Sequence, residues 1–173
     1  LEVRAGELHA VIGPNGAGKT TLIGQISGEI YPDNGHIRFD GKDITRMSAY
    51  KRSLAGLSRS YQITQVFGDF TVHQNVALAV QAHSGHSYNM WRMADENPKV
   101  MSPALQALER FGLAGRGDVP VAELAHGERR QLELAMAVVT EPKLLLLDEP
   151  LAGMSKFESE SIVALLTELK RHY

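Results

Sequence analysis

Cysteine is absent from the 173 residues, which removes disulfide frameworks, zinc knuckles and thiol chemistry and points to a cytosolic setting. Neither sign of charge dominates. Lys+Arg total 18 against 20 Asp+Glu, a formal net charge of −2, so nothing argues for nucleic acid and any basic patch would have to be local. No apolar run approaches the roughly 20 residues needed to span a bilayer, so the expectation is a soluble chain that could dock on membrane partners. Internal repeats and low-complexity stretches are also missing. The histidines, His73, His83 and His86 among them, lack metal-ligand spacing with acidic partners and read as solvated surface. The single tryptophan, Trp91, reads as a packing residue. What remains is one domain, or most of one, long enough to bury a core.

Glycine is where the chain becomes specific. Residues 13–20 read Gly-Pro-Asn-Gly-Ala-Gly-Lys-Thr, a full match to G-x-x-x-x-G-K-[ST]. The mostly apolar run at 8–12 ahead of it reads as a buried strand, and residues 20–27 behind it as the start of a helix. Gly13, Gly16 and Gly18 permit a tight turn that points successive N–H groups at one anion. A helix N-terminus adds its positive dipole end. Asn15, Gly16, Ala17 and Gly18 are the loop's candidates for phosphate contact, joined by Thr21 in the first helical turn. Lys19 supplies a point charge for the β- and γ-phosphates, and the Thr20 hydroxyl is placed to ligate Mg²⁺. The pattern implies nucleotide phosphate binding.

Further along, residues 35–41 alternate between two glycines as a strand with turns, 47–55 reads as a short helix and 57–61 as a strand. Helical patterns follow at 72–82, 103–111 and 127–140, with an irregular insert at 83–98 and a turn-rich connector at 112–118. Lys143-Leu-Leu-Leu-Leu-Asp148 reads as a parallel strand, apolar throughout because both faces are covered. An amphipathic helix runs from about residue 157, and residues 1–4 read as a strand, so both ends look cut within elements. The expected fold is α/β: a P-loop NTPase core with a mainly parallel sheet and an inserted helical subdomain. Residues 1–70 and 141–173 would form the catalytic core and 71–140 the helical subdomain, all within one domain, 1–173.

Four leucines ending in Asp148-Glu149-Pro150 put a carboxylate at the C-terminal end of a parallel strand, where α/β sheets bind ligands. This is the Walker B pattern. Asp148 is expected to hold Mg²⁺ through water opposite Thr20, and Glu149 to polarise the water that attacks the γ-phosphate. Leu124-Ala-His-Gly-Glu-Arg-Arg-Gln131 opens the long helix, 24 residues before Asp148. With these motifs in this order the chain resembles the ATP-binding cassette (ABC) ATPases, whose signature reads L-S-G-G-Q. Leu124 and Gly127 match, Glu128 is an acidic substitute, Ala125 replaces the serine and His126 the first glycine. The resemblance implies that the signature of one subunit closes over the γ-phosphate held by another, with helix N-terminal donors near Gly127. Gln62, in Ser58-Arg-Ser-Tyr-Gln62, resembles the cassette glutamine that senses Mg²⁺ and the attacking water. The segment after it, with Ile63, Val66, Phe67 and Phe70, is where such domains receive the coupling helix of a membrane subunit. Local core packing is the alternative reading of those four side chains.

More narrowly, Tyr61-Gln-Ile-Thr-Gln-Val-Phe67, the insert before the signature and Asp148-Glu-Pro-Leu-Ala-Gly-Met154 resemble the ATP-binding subunits of branched-chain amino acid importers. That resemblance implies ATP and Mg²⁺ as cofactors and hydrolysis coupled to import. It implies a second ATP-binding subunit and membrane permease subunits as partners, with a periplasmic substrate-binding protein acting indirectly. The place it implies is peripheral, on the cytoplasmic face of the inner membrane. The adenine-stacking aromatic and the switch histidine of the family are expected outside residues 1–173, since His172 has no strand before it. Weak ATP binding and poor turnover by these residues alone would follow. Ser155 stands where an aspartate is common in the family. A soluble cassette ATPase of DNA repair or translation, and a nucleotide-binding module without turnover as isolated, are the alternatives.

Overall fold

In the computed structural model, which describes residues 1–60, 66–83, 98–151 and 153–170, the phosphate-loop turn runs directly into helix α1 (Lys19–Ser27). Tyr61, Gln62, Ile63, His86, Trp91, Ala152 and His172 lie outside the described residues. Gly28 ends α1 in the left-handed conformation, with φ 87°, and its N–H returns to the Gly24 carbonyl. A Cβ at Gly28 would also stand 2.8 Å from Nε of Arg52, so both conformation and space demand glycine there.

Arg52 belongs to α2 (Ala49–Leu54) and has no exposed surface. Its Nη1 donates to the carbonyls of Gln25 (2.6 Å) and Ile26 (2.8 Å), its Nε to Met47 (2.9 Å) and its Nη2 to Thr45 (3.0 Å). Those acceptors include the last carbonyls of α1, which a helix leaves without intrahelical partners at the negative end of its dipole. Burial lowers the Arg52 pKa below the usual arginine value, without neutralising a guanidinium.

Strands β1 (Arg38–Phe39) and β2 (Lys42–Asp43) form an antiparallel hairpin turned through Asp40 and Gly41. Strands β3 (Leu57–Ser60) and β4 (Leu144–Leu147) pair in parallel, Leu57 opposite Leu144 through to Ser60 opposite Leu147. Residues 1–4 and 8–12 do not form the expected strands. A strand needs a neighbour for its N–H and C=O groups. Here a cavity of about 1010 Å³, lined by Leu1, Leu8, Ile26, Leu145 and Leu166 among others, separates the N-terminal segment from β4. Ile12, at the end of the unpaired segment, is 92% exposed. For the same reason β4 is half-buried along its length rather than covered on both faces.

Helices α3 (Val72–His83), α4 (Pro98–Arg110), α5 (His126–Val138) and α6 (Lys156–Leu169) supply most of the core. Val72 and Val76 of α3, Ala104 and Leu108 of α4, and Leu132, Leu134 and Ala135 of α5 are all buried in one cluster with Ile162 of α6. Helix α4 begins at Pro98, earlier than the pattern at 103–111 suggests, because Val100 joins the buried stripe and Pro103 is tolerated inside the helix. A reciprocal cap opens α3: Gln74 accepts from the Thr71 N–H while Thr71 Oγ1 accepts from the Gln74 N–H. Asn75, fully buried, accepts from the Phe67 N–H (2.8 Å) and donates to the carbonyls of Phe67 and Thr71. That pins the turn at 67–71. Val66 packs against the core, whereas Phe67 and Phe70 stay 57% and 41% exposed with ring centroids 5.4 Å apart.

The start of α3 also rests on Gly117, whose carbonyl accepts from the His73 N–H at 2.9 Å. A Cβ at Gly117 would lie 2.2 Å from Cε1 of the His73 ring, although its φ of −52° suits any residue. Gly117→Ala should therefore destabilise by overpacking alone, by about 1–3 kcal/mol. Urea unfolding of the parent and variant checks this, and an unchanged midpoint would place the His73 ring elsewhere.

Candidate functional site

Gly16 (φ 80°) and Gly18 (φ 87°) both take the left-handed conformation, Gly18 serving as the N-cap of α1. Gly13 faces Ala17, where an added Cβ would come within 3.2 Å of the alanine methyl. The loop therefore closes tightly, with the Ala17 N–H bonded to the Pro14 carbonyl at 3.2 Å. Lys19, Thr20 and Thr21 begin the helix, and N–H groups at those positions have no intrahelical carbonyl to reach. The Lys19 ammonium folds back over the loop, donating to the carbonyls of Gly13 (2.7 Å) and Pro14 (2.9 Å). Asn15, Ala17, Thr20 and Thr21 are exposed. The unpaired N–H groups of a helix start, with one cation folded over the loop before them, suit a phosphate.

Asp148 follows the last residue of β4 and is 4% exposed. Its Oδ2 lies 3.4 Å from Nη2 of Arg59, the third residue of β3. Arg59 also pairs with Glu29 at 2.5 Å and donates to Ser27 Oγ at 3.3 Å, so one guanidinium touches the last residue of α1, a residue two positions beyond it and the residue after β4. Glu149 is exposed and has φ 47°, an uncommon backbone state for a residue with a side chain. Backbone strain of this kind concentrates at functional sites.

Arg130, on α5, holds that turn. Its Nη2 donates to the carbonyls of Asp148 (3.0 Å) and Glu149 (3.2 Å), and its Nε to Pro150 (3.3 Å). Its Nη1 pairs with Glu133 at 2.5 Å. Burial pushes the Glu133 carboxyl above the usual glutamate range, against the pull of Arg130. Gly127 is buried in the first turn of the same helix. The His126 ring packs over Gly153, where an added Cβ would be 3.2 Å from Cε1.

The structure thus brings Arg130 of α5, the turn at 148–150 and the C-terminal end of α1 into one bonded system. No hydrogen bond or ion pair among the described residues joins Lys19 or Thr20 to Asp148. Gln62 lies outside the described residues, two positions beyond the end of β3. Sequence reasoning missed Arg59 and Arg130 as parts of the site. The signal was present in part, since each flanks a motif: Arg59 stands three residues before Gln62, and Arg130 three after Gly127.

Residues 1–152 match the family model described as ABC transporter. The chain belongs to that family. As an ABC ATPase domain it binds ATP and hydrolyses it, on a P-loop NTPase fold of mixed α/β architecture. The chain is 34% identical to the probable branched-chain amino acid transport ATP-binding protein LivG of Archaeoglobus fulgidus, over 99% of this chain and 67% of that protein. It is 31% identical to the high-affinity branched-chain amino acid transport ATP-binding protein BraF of Pseudomonas aeruginosa, over 100% of this chain and 70% of that protein. Another curated relative, an ABC transporter ATP-binding protein of Rhizobium meliloti, is covered over 59% of its length. The chain thus spans roughly two thirds of the length of these relatives, between 59 and 70%. A solved ATP-binding cassette of an ABC transporter superposes with a TM-score of 0.87 at 29% identity, over 99% of this chain and 69% of that one.

Helix α5 of this ABC domain starts without the usual hydroxyl cap, since its N-cap is Ala125. Glu128 supplies half of a capping box, accepting from the Ala125 N–H at 2.9 Å, and pairs with Arg116 through two bonds of 2.8 and 3.2 Å. The Arg116 bonds, then the Ala125 N–H, hold the Glu128 carboxyl below the usual glutamate range. A lowered carboxylate contributes stability that is complete above the unfolded-state pKa and lost as pH falls through the folded one. Because both side chains are partly solvated, Glu128→Ala should cost only about 1 kcal/mol near neutrality. The cost should shrink below pH 4. Unfolding midpoints of parent and variant at pH 7 and pH 3 test this; an equal difference at both would mean that charge has no part in the cap.

Proposed function

We propose that this ABC domain energises a membrane importer for branched-chain or related amino acids. The observation that carries the ATP site is the phosphate loop: left-handed glycines at 16 and 18, with Lys19 bonded to two neutral carbonyls that a phosphate can replace. The substrate class rests on relatives named for branched-chain amino acid transport that match along the whole chain.

In this reading the backbone of Asn15, Gly16, Ala17 and Gly18, with Thr21, cradles the phosphates, and Lys19 faces the β- and γ-phosphates. Glu149 polarises the attacking water, and Gln62 senses it. Gly127 presents the α5 N-terminus to nucleotide held by a second ATP-binding subunit. Residues 71–140 act as the helical subdomain and 1–70 with 141–173 as the catalytic core.

Mg²⁺ fits the donor set. The Thr20 hydroxyl and the Asp148 carboxylate are hard oxygens, joined in the proposal by the Gln62 side chain, and Mg²⁺ favours one or two such ligands plus phosphate oxygens and water. Asp148 already faces a cation, the Arg59 guanidinium. When bound, Mg²⁺ would neutralise charge on the phosphate oxygens; the residues above would still do the holding and aiming.

No helix among the described residues is long and apolar enough to cross a membrane. Membrane contact would therefore run through permease subunits on the cytoplasmic face, and the exposed Phe67–Phe70 pair offers them an apolar surface. A periplasmic binding protein would act at one remove.

Two variants test the reading. Lys19→Ala deletes charge-assisted bonds worth about 1.5–3 kcal/mol each, so ATP affinity by calorimetry in Mg²⁺ should fall by roughly tenfold or more. Near-parental affinity would sink the phosphate-loop assignment. Glu149→Gln should leave ATP affinity intact while turnover drops by about 10²–10⁴-fold, the usual worth of a general base. Turnover at the parental rate would make Glu149 structural, leaving another group to align the water.

A further inference from the structure

We propose that Arg59 is a positioning residue for the Walker B carboxylate. It holds Asp148 in register with the phosphate-loop helix and so sets how much Mg²⁺ adds to nucleotide affinity. The proposal rests on the ATP-site reading above.

Arg59 is 8% exposed at its side chain and Asp148 5%, so the pair sits away from bulk screening. The contact engages one carboxylate oxygen, Oδ2, at 3.4 Å. A carboxylate has two oxygens and about four acceptor directions, so the other oxygen can face a cation's hydration shell while the first is held. At 3.4 Å the contact is longer than a strong N–H···O bond. It orients the carboxylate without saturating it.

The other side of the fork is anchored firmly. Nη1 meets Glu29 at 2.5 Å and Ser27 Oγ at 3.3 Å, both at the C-terminal end of α1. Gly24 of α1 makes room beside them: an added Cβ would approach Ile30 Cδ1 to 3.1 Å and Arg59 Nη1 to 4.0 Å. One rigid, planar group therefore links the helix that carries Lys19 and Thr20 to Asp148, the residue after β4. Lysine could do this only in part, because a point charge on a flexible stem lacks the fork. Arg59 also lies one residue from the end of β3, on the strand leading to Gln62.

The test is calorimetric titration of ATP in EDTA and in saturating Mg²⁺, on the parent, Arg59→Met, Arg59→Lys and Glu29→Gln. The gain in affinity on adding Mg²⁺ is the readout. Arg59→Met should keep its Mg²⁺-free affinity within about twofold, yet lose roughly tenfold of the Mg²⁺ gain, as expected within one ion-pair network. Arg59→Lys should recover part of that gain. Glu29→Gln loosens the anchor while leaving Asp148 paired, and should lose a smaller share. A Met variant with a parental Mg²⁺ gain would overturn the proposal. So would equal losses in both buffers together with a lowered melting temperature, which is what a merely structural role predicts. If the Met variant does not fold, parental Mg²⁺ gains in both other variants reject the idea. A parent that binds no ATP in either buffer would instead overturn the ATP-site reading, and this proposal with it.

Discussion

The grip of Arg130 on the carbonyls of Asp148, Glu149 and Pro150 is the contact on which the geometry of the site depends. Glu149 adopts φ 47° immediately before a proline, where an extended backbone is normal. Left alone, that residue would relax. Charged donors make hydrogen bonds about twice as strong as neutral ones, and here one guanidinium supplies them to three consecutive carbonyls. Its own charge is balanced by Glu133, and both are nearly buried. Such a pair adds little net stability but is costly to break, by about 3–5 kcal/mol, because one partner stays behind as a buried charge. The strained turn and the start of α5 are thereby locked into one unit.

Two further arginines repeat the device between other elements. Arg52 ties α2 to the end of α1 through backbone carbonyls, and Arg59 ties β3 to α1 and to the residue after β4. The described ladders are only two and four residues long, so sheet hydrogen bonding alone cannot set the spacing of these elements. Guanidinium groups reach farther than a ladder bond and can satisfy several acceptors at once. Around the site the architecture is therefore fixed by buried cations as much as by β-pairing.

This explains which parts of the molecule were legible in the sequence. Helices close their hydrogen bonds within a single segment, so the apolar spacing of residues 72–82 and 127–140 was enough to find α3 and α5. The glycine loop was legible because its chemistry is local. Residues 8–12 show the opposite case: they have a strand's composition, but a strand is a relation to a neighbour, and no described strand pairs with them. Arg52, Arg59 and Arg130 could not be recognised for what they do. Their contacts cross 27, 89 and 18 residues of chain, and in a local window each looks like an ordinary solvated side chain. Ala125 stands where the family signature has a serine, and the structure fills part of a hydroxyl cap's role from Glu128.

The division of labour along α1 follows from its dipole. At its C-terminal end the carbonyls of Gln25 and Ile26 are taken by Arg52, and Arg59 sits against Ser27. Positive charge there compensates the negative end of the helix. At the other end no acid stands in the first turn, and the N-cap is a glycine with no side chain to occupy the first N–H groups. The positive end is therefore left without a side-chain anion of its own first turn. Lys19 adds its charge at the same place, bonded to two carbonyls of its own loop. Exchanging those neutral acceptors for a phosphate moves one side chain and leaves the left-handed glycines as they are. In the proposed reading the glycine conformations are already in place, and the Lys19 rotamer is what a phosphate would reset.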